Sequence, residues 1–251
     1  MKTPLSIQLY TVREITKTPA DFANVVRQIA DIGYAGIETG GTGGLSDRDF
    51  KKLIDDTGLK VSGWWAMPDK GNINELVDRA KTYGFDCYIS CVGGEHFKEK
   101  ASILTTAAQY QEGAALLAEH GLNFLYHNHW WEFEVSFDGK YGWDILFENA
   151  PALKCELDMY WASNFGQVDV PAVIRKYAAR TPLYHVKDGS LVQNQPQSAV
   201  GKGKHDLKRC IGAIDPKVTQ WLVVELDDYV EGHPMMMNAV RDSYGYLTGQ
   251  S

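Results

Sequence analysis

Apolar positions along the chain follow two alternating rhythms. Short runs rich in β-branched and aromatic residues read as strands: LSIQLY (5–10), AGIET (35–39), KVSGWW (60–65), DCYIS (86–90), NFLYH (123–127), LKCELD (153–158), PLYHVK (182–187) and WLVVEL (221–226). Between them, apolar residues recur at the spacing of a helical face. In 21–32, Phe22, Val25, Val26 and Ile29 share one side and Gly33 follows as a stop. Ser46 opens SDRDFKKLIDDTG with Asp49 placed close to a capping box. Further helices are expected over 72–83, 98–120, 143–149, 169–180, 206–214 and 233–247, with Asp206 as an N-cap. Parallel strands need a crossover, usually a helix. Eight such units in 251 residues predict one (β/α)8 TIM barrel spanning 1–251. A doubly wound sheet is the alternative, but it usually has fewer strands. GTGG (41–44) lacks the spacing of a dinucleotide loop and reads as a flexible loop after the second strand.

Composition bounds this picture without changing it. Apolar residues make up 44% of the chain, enough for a full core, and 25 Lys and Arg against 32 Asp and Glu give a net charge of −7. No basic stripe supports binding to nucleic acid. No apolar run reaches the roughly 18 residues a membrane span needs. Lys2 is followed by Pro4 and a short strand-like run, which is not a signal peptide. The expected location is the cytoplasm, or the periplasm if a leader has been removed. Cys87 and Cys91 are separated by three residues with no second pair, so the four cysteines read as small buried apolar groups.

Chemistry enters at the C-terminal strand ends, where such barrels build their sites. Strand two ends in Glu38 and strand three in Trp64-Trp65. Strand five ends in His127-Asn128-His129 followed by Glu132, and strand six in Glu156-Leu157-Asp158. Strand seven brings His185 and Lys187, and strand eight Glu225 and Asp227. Side chains alternate along a strand. If Leu157, Val186 and Leu226 face the helices, then Asp158, His185 and Glu225 face the mouth. Clustered carboxylates repel one another, and a divalent cation relieves that. Mixed N/O ligands suit Mn²⁺, Mg²⁺, Co²⁺ or Zn²⁺. The plain alternative is an ion-pair network at the rim. Lys187 is placed either to touch substrate or to pair with Glu225. Lys202 and His205, in the glycine-rich VGKGKHD run (200–206), are candidates to reach the pocket.

These residues, taken in order as SIQLYTVRE, GYAGIE, YHNHWWEF, ELDMYW, YHVKDG, VGKGKHD and WLVVELDD, cover nearly the whole chain. Together they resemble the xylose-isomerase-like TIM-barrel superfamily, in particular its sugar phosphate isomerase/epimerase branch. The resemblance implies one divalent ion, Mn²⁺ first, held by Glu, Asp, His and Glu from strands five to eight. It also implies α-proton transfer between two glutamates through a metal-stabilised enediolate. Asp158, His185 and Glu225 match three of the ligands. At strand five the match departs, because His127 stands where relatives carry glutamate. Either His127 replaces that ligand or Glu132 folds back. The set expected is Glu132, Asp158, His185 and Glu225, with Glu132, Glu225 and His129 handling protons. His127, Trp65, Trp161, Lys187 and Glu38 are then expected at the substrate. Trp64, Trp130 and Trp131 are further candidates for sugar-stacking walls. Relatives are often homodimers. The resemblance keeps open a lyase or hydratase acting on 3-keto-glycosides, and a non-catalytic sugar-binding module. Phosphodiester hydrolysis, known on this fold, calls for more histidines than the strand ends offer.

Overall fold

A computed structural model describes residues 3–250; Lys2, part of the N-terminal reading, lies outside the described residues. All eight predicted runs form strands: β1 (Leu5–Gln8), β2 (Gly36–Thr39), β3 (Lys60–Trp65), β4 (Cys87–Ser90), β5 (Asn123–His127), β6 (Lys154–Asp158), β7 (Leu183–Val186) and β8 (Trp221–Val224). Each lies parallel to its neighbours in the chain, and β8 pairs with β1, Leu222 opposite Leu5, to close the barrel. The fold is a single (β/α)8 barrel.

Its outer helices are α1 (Pro19–Ile32), α2 (Asp47–Thr57), α3 (Ile73–Tyr83), α4 (Lys100–Ala118), α5 (Gly142–Asn149), α6 (Val170–Tyr177), α7 (Leu207–Ile211) and α8 (Met236–Thr248). Their ends follow local chemistry. Thr18 caps α1 by accepting the Asp21 N–H at 3.2 Å, with Pro19 opening the first turn, so this helix starts earlier than its apolar face suggests. Ser46 accepts the Asp49 N–H at 3.1 Å and donates to the Asp49 carboxylate at 2.7 Å, the predicted cap. Asp206 caps α7, which Gly212 ends well short of 214.

Alternation within the strands creates two apolar cores. Outward residues such as Ile37, Val61, Tyr88, Tyr126, Leu157, Val186 and Val224 pack against the helices. Leu226, just past β8, joins them, as expected with Leu157 and Val186. Inside the barrel, Cys87, Ile89, Leu125 and Leu183 form a small plug, flanked by Trp221 and Trp65. Gly63 leaves room there for the plug, since a Cβ would sit 2.4 Å from Ile89 Cδ1 and force that side chain to shift. Toward the C-terminal strand ends the inward positions Glu38, His127, Glu156, Asp158 and His185 are polar, so the plug is the floor of the site.

The same alternation removes Trp64 from the pocket. Its ring stacks outward on Tyr83 at 5.4 Å and Phe85 at 5.9 Å, with Phe50 edge-on at 6.1 Å. Three of the four cysteines are buried and all are free. Among the described residues no helix is long and apolar enough to cross a membrane. Trp64→Ala should cost about 3–5 kcal/mol of stability by leaving a cavity among these rings. Urea unfolding measures this, and a loss below about 1 kcal/mol would contradict the packing role.

Candidate metal centre and substrate cleft

The C-terminal mouth opens into a cleft of about 630 Å³. Gln8, Tyr10 and Arg13 line one side, the Thr39–Gly43 turn and Trp65 another, and Cys91, His127, His129, Glu225 and Asp227 the base. In the GTGG loop, Gly43 has φ 62° and lies so close to the Phe22 ring that a Cβ would overlap it. Glycine therefore lets this turn pack against α1.

Beneath the cleft, polar side chains from four strands and the segment after β8 meet. Glu156 and Asp158 are two apart on β6 and both face inward, as do His127 on β5, His185 on β7 and Glu38 on β2. Asn128 locks β5 to β6 past their last ladder pair: its Oδ1 accepts the Asp158 N–H at 2.9 Å and its Nδ2 donates to the Asp158 carbonyl at 3.2 Å. Asp158 Oδ1 caps the helical turn Met159–Ala162 by accepting the Trp161 N–H at 2.8 Å. Its Oδ2 is buried and faces the Lys187 ammonium at 3.0 Å. His185 Nδ1 lies 2.8 Å from Glu225 Oε2, while its Nε2 lies 3.0 Å from Glu38 Oε1 and 3.2 Å from Glu156 Oε2. His127 Nδ1 lies 3.0 Å from that same Glu156 oxygen, and its Nε2 is 4.0 Å from Asp158 Oδ2. One donor atom each from His127, Asp158, His185 and Glu225 falls within 4.8 Å of all the others. Glu38, Glu156 and His185 form a second, deeper set on the same criterion.

Burial and pairing set the charge states. His185 is pushed well up despite burial, because Glu156, Glu38 and Glu225 surround it. His127 is pushed well down by burial and by the nearby His185. Donating its Nδ1–H to Glu156 would leave the Nε2 lone pair free. His129 falls to about 4 through burial and then Lys187. Burial raises Glu156 well above the carboxylate range, with Glu38 adding to it. Burial also acts on Glu38, but the His185 charge and hydrogen bonds outweigh it and lower that group. Lys187 has no exposed surface and is ringed by Asp158 at 3.0 Å, Glu225 at 2.7 Å and Asp227 at 2.8 Å. Of its two predicted roles, the structure shows the pairing.

Several expected residues fall elsewhere. Glu132 is not brought to the four-donor group. The chain turns tightly at Trp131–Phe133, and the Glu132 carboxylate folds behind β5. There it accepts the hydroxyl of outward-facing Tyr126 and the His129 N–H, both at 2.9 Å. His127 takes its place among the donors. Glu38 lies below the cleft wall, accepting from Gln8 at 2.6 Å and Trp65 Nε1 at 2.7 Å. Trp65 lines the cleft edge-on to His127 at 5.2 Å. Trp161 instead flanks the rim, donating to Asp227 at 3.1 Å. Trp131 backs His129 in a 4.2 Å stack, and Trp130 and Trp131 line a separate surface groove. Lys202 and His205 stay away from the cleft. The Asp188 carboxylate accepts backbone N–H groups of Gly189, Gly201, Gly203 and His205 at 2.8–3.1 Å, pinning their loop aside. Glu156 and Asp227 were placed at strand ends from the sequence but given no role there. Each lies two residues from a predicted ligand, and that spacing is the signal that would have found them.

An eight-stranded parallel barrel with a buried His/Asp/Glu cluster at its C-terminal mouth defines the class. The chain belongs to the xylose isomerase-like TIM barrel family, whose model matches residues 26–243. Its fold is similar to that of a sugar phosphate isomerase/epimerase from Parabacteroides distasonis, with 21% identity, TM-score 0.74, and 98% of this chain and 93% of that one covered. It is also similar to the probable 3-DHS dehydratase of petrobactin synthesis from Bacillus anthracis, with 15% identity, TM-score 0.75, and 99% and 100% covered. A third similar structure is a xylose isomerase-like protein from Mycobacterium smegmatis in complex with magnesium, with 13% identity, TM-score 0.72, and 99% and 96% covered. Among curated proteins none matches the chain.

Burial raises Glu132 to about 8, against 4.5 for a free side chain, with its hydrogen bonds opposing only in part. A raised folded-state value stabilises the protein below the unfolded value, and that stability is lost as pH climbs through the folded one. Stability should therefore fall by a few kcal/mol between about pH 5 and pH 8, and Glu132→Gln should flatten that fall. Urea unfolding of both proteins across this range checks it, and parallel pH profiles would count against it.

Proposed function

We propose that this protein is a divalent-metal-dependent sugar isomerase or epimerase that moves a proton α to a carbonyl. The observation that carries the reading is the convergence of His127, Asp158, His185 and Glu225 at the base of the cleft. These residues fit a metal. Asp158 Oδ2, paired with the Lys187 ammonium at 3.0 Å, stands 4.0 Å from His127 Nε2. That is too far for a hydrogen bond, but is the span of two ligand bonds of roughly 2 Å to a shared ion. Around this point the carboxylates of Asp158, Glu225 and Asp227 crowd the Lys187 ammonium and outnumber it. Two nitrogen and two oxygen donors suit Mn²⁺, Co²⁺ or Zn²⁺, and the magnesium of the Mycobacterium smegmatis relative keeps Mg²⁺ among the candidates.

When bound, the cation polarises the substrate carbonyl and makes the neighbouring C–H more acidic. The rest is the work of the side chains. Glu225 commits Oε2 to His185 and Lys187, which leaves Oε1 to take a proton from substrate in the cleft. His129, in place of the inaccessible Glu132, is the second proton-transfer group. Its imidazole lines the cleft in its neutral form, with Nδ1 unpartnered. Trp65 offers an apolar face to a sugar ring. Glu156 holds both candidate ligand imidazoles by one oxygen. Elimination begins with the same α-proton removal and then expels a leaving group, so a dehydratase or 3-keto-glycoside lyase is the second reading. The dehydratase name of the Bacillus anthracis relative favours keeping it.

Metal analysis of the purified protein should find one divalent ion per chain, absent from Asp158→Ala. Exchange of the substrate α-proton into solvent should stop on chelation, and full exchange in chelated protein would overturn the reading. Aglycone release from an oxidised glycoside would move the assignment to elimination. Glu156→Gln should loosen both imidazoles and weaken metal binding about 10–100-fold. Titration of the metal reads this, and unchanged affinity would deny the clamp.

A further inference from the structure

Lys187 shares two of its three partners with the donor group. Its Nζ contacts Asp158 Oδ2 and Glu225 Oε2, and both residues belong to the four that converge. Its third partner, Asp227 Oδ2 at 2.8 Å, lies outside that group and lines the cleft. That oxygen is also held by Gln197 Nε2 at 3.0 Å and Trp161 Nε1 at 3.1 Å, so it stays in place on its own. Gln197 fixes the Asp227 backbone as well, accepting its N–H at 2.8 Å. A divalent ion drawing on Asp158 and Glu225 would stand beside a buried ammonium on the same two carboxylates. Two cations that close, in a site shielded from water, repel strongly. The lysine stem is flexible enough to yield.

We propose that Lys187 is a tethered counter-ion that trades places with the metal. This rests on the metal-centre reading above. Without the ion, the ammonium neutralises Asp158 and Glu225 and keeps the buried carboxylates from driving the mouth apart. As the ion enters, Lys187 releases both and remains on Asp227. There its ammonium joins the cleft wall as a donor to a substrate oxygen. The lysine thus sets the metal affinity of the centre and delivers a positive charge to the cleft only when the centre is loaded.

Isothermal titration of Mn²⁺ into metal-stripped wild type and Lys187→Met tests this. The variant should bind at least about tenfold more tightly, since a competing positive charge is gone. It should also melt at a lower temperature than wild type without metal and regain more on loading. Equal or weaker binding by a folded variant overturns the exchange while leaving the metal centre standing. Failure of wild type and variant alike to take up Mn²⁺ overturns the metal reading and the exchange with it. If the variant does not fold, the structure of Mg²⁺-loaded wild type decides. Lys187 Nζ should have left Asp158 and Glu225 for Asp227, and an ammonium still bonded to all three overturns the proposal.

Discussion

A lysine ammonium with no exposed surface sits among three carboxylates at the barrel mouth, and the rest of the site is arranged around that burial. A charge taken out of water is costly unless it is paired and hydrogen-bonded. On the protein surface the same pairs would contribute little. Here they hold β6, β7 and the segment after β8 in one relation. Against the pull of burial, the Lys187 charge and its hydrogen bond lower Asp227 to about 2. His185 extends the network downward through Glu38 and Glu156 to the apolar plug. Removing any one member leaves another buried charge without its partner, so the cluster persists as a unit.

The rim is shaped by hydrogen bonds that touch no substrate. Asn128 ties two strands together beyond their ladder. Glu132 fixes the turn after β5 from behind, so His129 and Trp131 stack at the cleft edge. Asp188 gathers four backbone N–H groups and keeps the glycine-rich loop away from the opening. Arg13 bridges the Tyr10 and Asp227 carbonyls, closing the far wall between β1 and β8. Polar residues near the site thus divide into those that face the cleft and those that hold the loops from outside. The division is invisible in composition, because carboxylates and amides serve on both sides of it.

Most of the fold was legible along the chain. Every barrel strand arose where an apolar run had marked it, and the expected helix caps at Ser46 and Asp206 formed from local bonds alone. Period-two alternation also gave the inward direction of Asp158, His185 and Glu225 once Leu157, Val186 and Leu226 were assigned to the helices. These are short-range properties, fixed by backbone geometry and by which residues must leave water. Trp64 shows the limit, since its parity with Trp65 was available but residue type suggested a pocket wall.

What lay beyond the sequence was distance between strands. Glu132 sits close to His127 in sequence and is the carboxylate that the resemblance called for, yet a tight turn sends it behind β5. His127, held in the strand, faces Asp158 on the neighbouring strand instead. Loop paths decide which side of a strand a residue returns to, and no periodicity encodes them. Closure of the barrel brought Glu38, from the second strand, within 3.0 Å of His185 on the seventh, although 147 residues separate them. The sequence by itself determined the barrel, its inward parity and the carboxylate–imidazole character of its mouth. Only the tertiary structure decided which of those groups meet, because that depends on closure and turn geometry summed over the whole chain.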